Sequence, residues 1–289
     1  MSTTTVVGPI VTAVKGLEQV TGPLRPWQAT NKTQGEFLTE YFEPCHAEFA
    51  DLKEIETKAS WDADELNAFA ASKGFNLKLD EFGPGECGVV SVLDLLVAWL
   101  VPGTKVPVKS GGKKYPGFRL AHGVSFCSAP GHNNPIAVLN TKSNDRVCVT
   151  VLTEKVPKGF ALEALANELS ASKQNAGGFD AVVCPMIDLD QKVDISWLKK
   201  MSTCSTIGKA WTITQAKQQT KLRMNEKGAR AQSAVSIGAV ATSLRMPRPD
   251  LVIDKPFLIW FERDGLSRPL FVGHITPEDW KEPADLETA

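Results

Sequence analysis

Residues 222–275 read LRMNEKGARAQSAVSIGAVATSLRMPRPDLVIDKPFLIWFERDGLSRPLFVGHI, and this stretch decides the fold. A strand from Thr220 to Asn225 leads in, and Glu226-Lys227-Gly228 breaks it, since glycine permits backbone angles closed to other residues. From Ala229 to Ser243 there is no proline, and small or β-branched residues dominate; ordinary exposed loops favour Pro, Asn and Asp. Taken with period two, one set is Ala229, Ala231, Ser233, Val235, Ile237, Ala239 and Ala241, small or apolar throughout. The alternate set holds both long polar side chains, Arg230 and Gln232. That is the pattern of a half-buried strand, yet the prolines of Met246 to Pro249 forbid its simple continuation. A segment with strand chemistry in a loop's setting can join a sheet when one opens to it. Downstream, the apolar runs Leu251 to Phe261 and Pro269 to Ile275 read as strands around a tight Arg263-Asp264-Gly265 turn.

Working upstream, Val193 to Met201 reads as a short helix and Ala181 to Met186 as a buried strand. Lys158 to Lys173 reads as a longer helix, with Phe160, Leu162, Leu165, Ala166 and Leu169 on one side. Ile136 to Leu139 and Arg146 to Leu152 are Val/Ile-rich strands bounded by turn-formers, and Lys109 to Lys114 is an exposed Gly-Gly turn. Val92 to Val101, broken by Asp94, is a buried core element. A helix opens at Asp62, capped by Asp62 or Asp64, and ends at Gly74. Between Gly35 and Thr57 two helices meet near Pro44. Residues 1–35 show little periodicity and read as partly irregular. Helices and strands mix without regular βαβ alternation, which argues for an α+β fold.

The 289 residues are 43% apolar, with 32 basic against 33 acidic side chains, so no global field favours nucleic acid or an anionic membrane. The N-terminal apolar run lacks a basic leader, so a cytoplasmic protein is expected, with secretion by another route left open. Six scattered cysteines (45, 87, 127, 148, 184 and 204) form no CxxC and read as free, mostly buried thiols. The four histidines, His46, His122, His132 and His274, fall in no metalloprotease or triad motif. Adjacent Cys45 and His46 point about 100° apart on a helix and make no dyad. The sequence therefore offers no catalytic residue, no metal site and no cofactor motif, and reads as something other than an enzyme.

Asn225-Glu-Lys-Gly-Ala-Arg-Ala-Gln-Ser-Ala resembles the hinge of the serpins, serine protease inhibitors in which a glutamate precedes a glycine and a run of small residues. Leu251-Val-Ile-Asp-Lys-Pro-Phe-Leu-Ile-Trp-Phe is similar to that family's C-terminal signature, and Pro269-Leu-Phe-Val-Gly-His-Ile to its closing strand. Cys184-Pro-Met-Ile-Asp-Leu and Leu66-Asn-Ala-Phe-Ala-Ala carry a fainter likeness, and residues 1–60 none. Gln218 stands where many members carry a histidine, and the Phe-Ser-Pro-x-Ser-Ile segment is not found.

The resemblance implies one serpin-like domain over 1–289, with large mixed sheets and surrounding helices. Its divergent or shortened helical part would be 1–60, its exposed reactive-centre loop 226–250 and its C-terminal strand pair 251–277. It implies a suicide substrate whose cleaved loop inserts into the main sheet and traps a serine protease as an acyl-enzyme. Glu226, Gly228, Ala229 and Ala231 would form the hinge. The scissile bond would join Thr242 to Ser243, a small residue suited to an elastase- or subtilisin-like protease, with Arg245 as the alternative cut. A monomer without cofactor, nucleic acid or membrane partner follows. The alternative reading is a non-inhibitory, serpin-like binding or scaffold protein.

Overall fold

The computed structural model describes residues 1–95, 97–143, 145–229, 248–284 and 286. The first third of the chain forms β1 (Thr3–Thr5), α1 (Gly8–Gly16), α2 (Glu18–Thr21), α3 (Lys32–Phe37), α4 (Glu43–Ala50), β2 (Ile55–Ser60), α5 (Ala63–Ser72) and β3 (Gly88–Leu93). Then come β4 (Val97–Ala98), β5 (Thr104–Ser110), β6 (Lys113–Leu120), β7 (Val124–Ala129), β8 (His132–Asn140), β9 (Asp145–Val151) and α6 (Phe160–Ser172). The strands β10 (Gln174–Asn175), β11 (Val182–Pro185), β12 (Ile187–Val193), β13 (Ser202–Cys204), β14 (Ala210–Thr212) and β15 (Gln218–Met224) follow. The last are β16 (Gly228–Ala229), β17 (Leu251–Val252), β18 (Phe257–Arg263) and β19 (Phe271–Ile275).

Contacts divide the chain into two compact units. The first comprises Met1–Thr5, Leu96–Leu189 and Lys221–Thr288. Its main element is a seven-stranded sheet in the order β1-β19-β18-β9-β8-β7-β10. The central strands carry continuous apolar runs because both their faces are buried: Leu258, Ile259 and Trp260 are all fully inaccessible. On one face α6 lays Leu162, Ala166 and Leu169 against Ile136, Val138, Cys148, Leu258, Trp260 and Val272. The helix spacing read from the sequence puts those side chains on one stripe. A second sheet, β17-β11-β6-β5, is antiparallel except for the parallel pair β11 and β17. Its β5–β6 hairpin turns at Gly111 and Gly112, both with positive φ (54° and 76°), as a tight two-residue turn requires.

The second unit comprises Val6–Leu95, Asp190–Thr220 and Ala289. There the antiparallel pair β2–β3 is covered by α5, whose Leu66 and Ala70 pack on Val90 and Val92. The Asp62 side chain accepts from the Asp64 amide at 2.8 Å and caps α5. As expected, two helices meet near Pro44: α3 runs through one π-helical turn, Leu38–Phe42, into α4, where proline sits in the first turn.

Residues 1–35 are partly irregular, over 22–31, but they also hold α1, a helix in which Gly8, Pro9, Ile10, Val11, Thr12, Val14 and Gly16 are all shielded. A helix buried over most of its surface, with only Lys15 exposed, shows little polar face and so a weak amphipathic period. Its glycine ends allow close approach: a Cβ on Gly16 would lie 2.6 Å from Thr57. One reading needs correction: Val193 to Met201 is not a helix. β12 runs to Val193, and only a single 3-10 turn, Ser196–Leu198, follows. The buried side chain of Gln34 donates to the carbonyls of Trp197 (2.7 Å) and Lys199 (2.9 Å), and Lys200 takes a φ of 71°, which ends any helix there.

Candidate functional site: the hinge turn and the two loop anchors

The stretch that decided the sequence reading leaves β15 at Met224, a side chain with no exposed surface. The chain then reverses. The Asn225 amide donates to the Gly228 carbonyl at 2.9 Å, and the Asn225 side chain accepts from the Lys227 amide at 2.9 Å. A short polar side chain that bonds the backbone two residues on is a turn-former, and it holds Glu226 and Lys227 at the tip. Gly228 and Ala229 emerge as β16, antiparallel to Ala98 and Val97 of β4. Ala229 is only 2% exposed, so the small residue that period two placed on the inward set is buried.

Trp99 organises this turn. Its side chain is 1% exposed and stacks on Phe118 with ring centroids 6.0 Å apart. Its indole N–H donates to the Asn225 carbonyl at 2.9 Å, and its backbone N–H to the Lys227 carbonyl at 3.1 Å. The Gly103 amide donates to the Glu226 carbonyl at 2.7 Å. The carbonyls of all three turn residues that precede Gly228 are thereby satisfied from one short segment, residues 99–103. The Glu226 carboxylate is mostly buried, and its Oε1 lies 4.0 Å from the Lys105 ammonium.

The loop's other end is fixed as firmly. The Arg248 amide donates to Asp180 at 2.7 Å, and the Asp180 amide to the Pro249 carbonyl at 3.2 Å. Asp250 accepts a two-pronged bond from Arg119, at 2.7 and 2.9 Å, which raises the pKa of the guanidinium through those hydrogen bonds. Leu251 and Val252 then pair with Val182 and Val183. Of the residues expected at the hinge, Glu226 lies in the turn after β15, and Gly228 and Ala229 form the β16 strand that follows it. Ala231, Thr242, Ser243 and Arg245 lie outside the described residues. Sequence reasoning missed Trp99, Gly103 and Lys105; the one hint was that Val92 to Val101 reads as buried core.

The backbone ladders beside the turn matter for what the loop can do. Among the described residues, β15 pairs only with β12, and β3 only with β2. In the second unit the connection from α5 to β3 is held by side chains. Asn67 exchanges two bonds with the backbone of Leu79 (2.7 and 3.0 Å), and Gln219 accepts from the Asn76 amide at 2.9 Å. The Lys217 ammonium donates to the Lys78 carbonyl at 2.8 Å and to Asp80 at 2.9 Å.

The histidines and cysteines stand apart. His132 bonds Thr150 at 2.7 Å and His274 the Leu152 carbonyl at 2.8 Å, and burial lowers the pKa of both. His46 bonds carbonyls within its own helix, and none of the six cysteines is in a disulfide among the described residues. Burial pushes the pKa of Cys184 well up and leaves it an inert core thiol.

The model of the serpin (serine protease inhibitor) family matches residues 192–277, which includes the hinge turn, both loop anchors after Arg248 and the closing strand pair. Several solved serpin structures superpose on 95% or more of the chain. Serpin48 of the insect Tenebrio molitor, described as highly specific, is 14% identical, with a TM-score of 0.54 over 95% of this chain and 91% of its own. The mouse protein-Z dependent protease inhibitor is 15% identical, with a TM-score of 0.56 over 95% and 90%. Residues 192–277 carry the serpin family's sequence pattern, and the chain has the serpin fold. Human thyroxine-binding globulin, seen in complex with thyroxine, is 13% identical, with a TM-score of 0.57 over 98% of this chain and 93% of its own. No curated protein sequence matches this chain. Its mixed α+β architecture, with a large multi-stranded sheet and surrounding helices, is the one its hinge and signature motifs implied.

Proposed function

We propose that this chain inhibits a serine-type protease as a suicide substrate. The observation that supports this most is the one-sided pairing of β15: its only ladder partner among the described residues is β12, and the chain leaves its end through the Asn225–Lys227 turn into the small, buried pair Gly228 and Ala229. A strand with an unpaired edge is a template for an added strand, for which serpin loop insertion is itself a well-known example. In this reading the protease's serine attacks the Thr242 carbonyl carbon. The Thr242–Ser243 bond breaks, Ser243 leaves with a new amine, and Thr242 remains esterified to the enzyme. Insertion of the segment from Ala229 onward then carries the acyl-enzyme away before water completes hydrolysis. The inward set, from Ala229 through Ala231 and Ser233, is slim enough to enter a closed sheet. Arg230 and Gln232 keep the outward phase, where a charge needs no buried partner. Thr242, flanked by Val240 and Ala241, fits an elastase- or subtilisin-like enzyme with a small first pocket, and Arg245 a trypsin-like one.

The test is incubation of the intact chain with elastase-, subtilisin- and trypsin-like proteases, followed by denaturing electrophoresis. A denaturant-stable complex is expected, together with a released fragment beginning at Ser243. Cleavage that leaves no complex, and no rise in melting temperature after cleavage, would refute trapping. That outcome would favour a binding or scaffold protein, a reading to which the thyroxine-binding globulin in the same fold lends support.

A further inference from the structure

The C-terminal tail lies beyond the family match, which ends at residue 277, yet it is firmly seated. After the 3-10 turn Pro277–Asp279, Trp280 is 2% exposed, set edge-on against Tyr115 at 5.1 Å between ring centroids and packed on Phe257 at 6.1 Å. Leu286 is buried as well. Anchored this way, the tail brings Glu282 onto Lys105 of β5, and the two side chains are hydrogen-bonded. Lys105 is the same ammonium that lies 4.0 Å from Glu226 in the hinge turn. One cation is therefore set between two carboxylates, and the tail holds it closer. The hinge is left short: Glu226 Oε1 is beyond hydrogen-bond range of Lys105, and its Oε2 is buried with no hydrogen-bond partner among the described residues.

We infer that the tail is a tuning element for the hinge, in which Glu282 draws Lys105 away from Glu226 and keeps the turn easier to open. A half-buried carboxylate denied its cation is a standing cost to the closed turn. Neutralising Glu282 frees the ammonium to close on Glu226 and so steadies the turn. Removing Lys105 denies Glu226 any cation and loosens it. The two substitutions act on one pair of charges in opposite directions, which a tail serving only as a brace does not predict. The device belongs to the uncleaved chain and does not depend on the inhibitor reading.

The test is hydrogen exchange of the amides of Asn225 and Lys227 in the intact protein, with no protease present. Glu282→Gln is expected to slow exchange there by roughly two- to fivefold, the range of a partly exposed ion pair, and Lys105→Met to speed it by a similar factor. Both changes should shrink at about 1 M salt, where screening acts within roughly 3 Å. Both replaced side chains are more than half exposed, so the variants keep their fold. Acceleration by Glu282→Gln, in the same direction as Lys105→Met, would make the tail a brace and overturn the inference. So would exchange unchanged in both variants.

Discussion

Replacing Trp99 with Phe keeps a ring against Phe118 but takes the indole N–H from the Asn225 carbonyl, 2.9 Å away. That carbonyl lies against a side chain only 1% exposed, and leaving it without a donor costs about 1–3 kcal/mol. The smaller ring removes buried volume as well, which adds about 1 kcal/mol of general destabilisation. The two remaining bonds to the turn, Trp99 amide to Lys227 carbonyl and Gly103 amide to Glu226 carbonyl, use backbone atoms and survive the change. The turn should thus persist but open more often. With about 1.4 kcal/mol per factor of ten, hydrogen exchange at the Asn225 amide should accelerate roughly tenfold or more through local opening. Phe118→Leu is the control, since it weakens the same packing while leaving the indole bond in place. If Trp99→Phe lowers the denaturant midpoint but moves exchange at Asn225 no more than Phe118→Leu does, the indole nitrogen does not hold the hinge and the account of the turn fails.

Two further outcomes follow from buried polar groups elsewhere. Gln34 has no exposed surface, accepts from the Thr30 amide at 2.6 Å and donates to two carbonyls, so Gln34→Leu strands the Thr30 amide and the Lys199 carbonyl and leaves the Trp197 carbonyl only its bond from Asn31. A loss of about 2–4 kcal/mol in denaturant unfolding is expected, and a loss below about 0.5 kcal/mol would refute that role. At Glu262, burial is the largest single influence and pushes the pKa up, but hydrogen bonds from Lys173, Ser170 and Trp260 outweigh it and hold the carboxyl down at about 2. A folded pKa below the unfolded one stabilises the protein above about pH 4.5 and loses that contribution as pH falls toward 2. At about 1.4 kcal/mol per unit this amounts to about 3 kcal/mol, and Glu262→Gln should flatten the acid limb of a stability-versus-pH curve.

How much of this was legible in the residues depends on whether a signal was local. The capped helix from Asp62, the Gly111-Gly112 hairpin tip and the strands after Leu251 each carry their own chemistry in a few consecutive positions, and each was readable. Helix α1 was not, because Ile10, Val11 and Val14 are buried beside Gly8 and Gly16 and little polar face marks the period. The helix expected over Val193 to Met201 failed for a non-local reason: Gln34, far away in sequence, claims the carbonyls of Trp197 and Lys199. At the turn after β15, Glu226, Gly228 and Ala229 carry a local signal, a glycine break followed by small residues. Their partners Trp99, Gly103 and Lys105 sit more than a hundred positions earlier, where nothing in the local pattern points to the turn.

The strand order of the seven-stranded sheet bears on how the chain reaches this state. β18, buried on both faces, lies between β9 and β19, and β1 at the opposite end of the sequence closes the edge on β19. Thr3 cannot meet His274 until the 270 residues between them have been made, and β9 waits more than a hundred residues for β18. Such distant pairings make for slow assembly, and during synthesis the Val-rich edge of β9 that awaits β18 stays open to strangers. A nascent chain of this kind is a natural client for chaperones that shield β-edges until the final strands arrive.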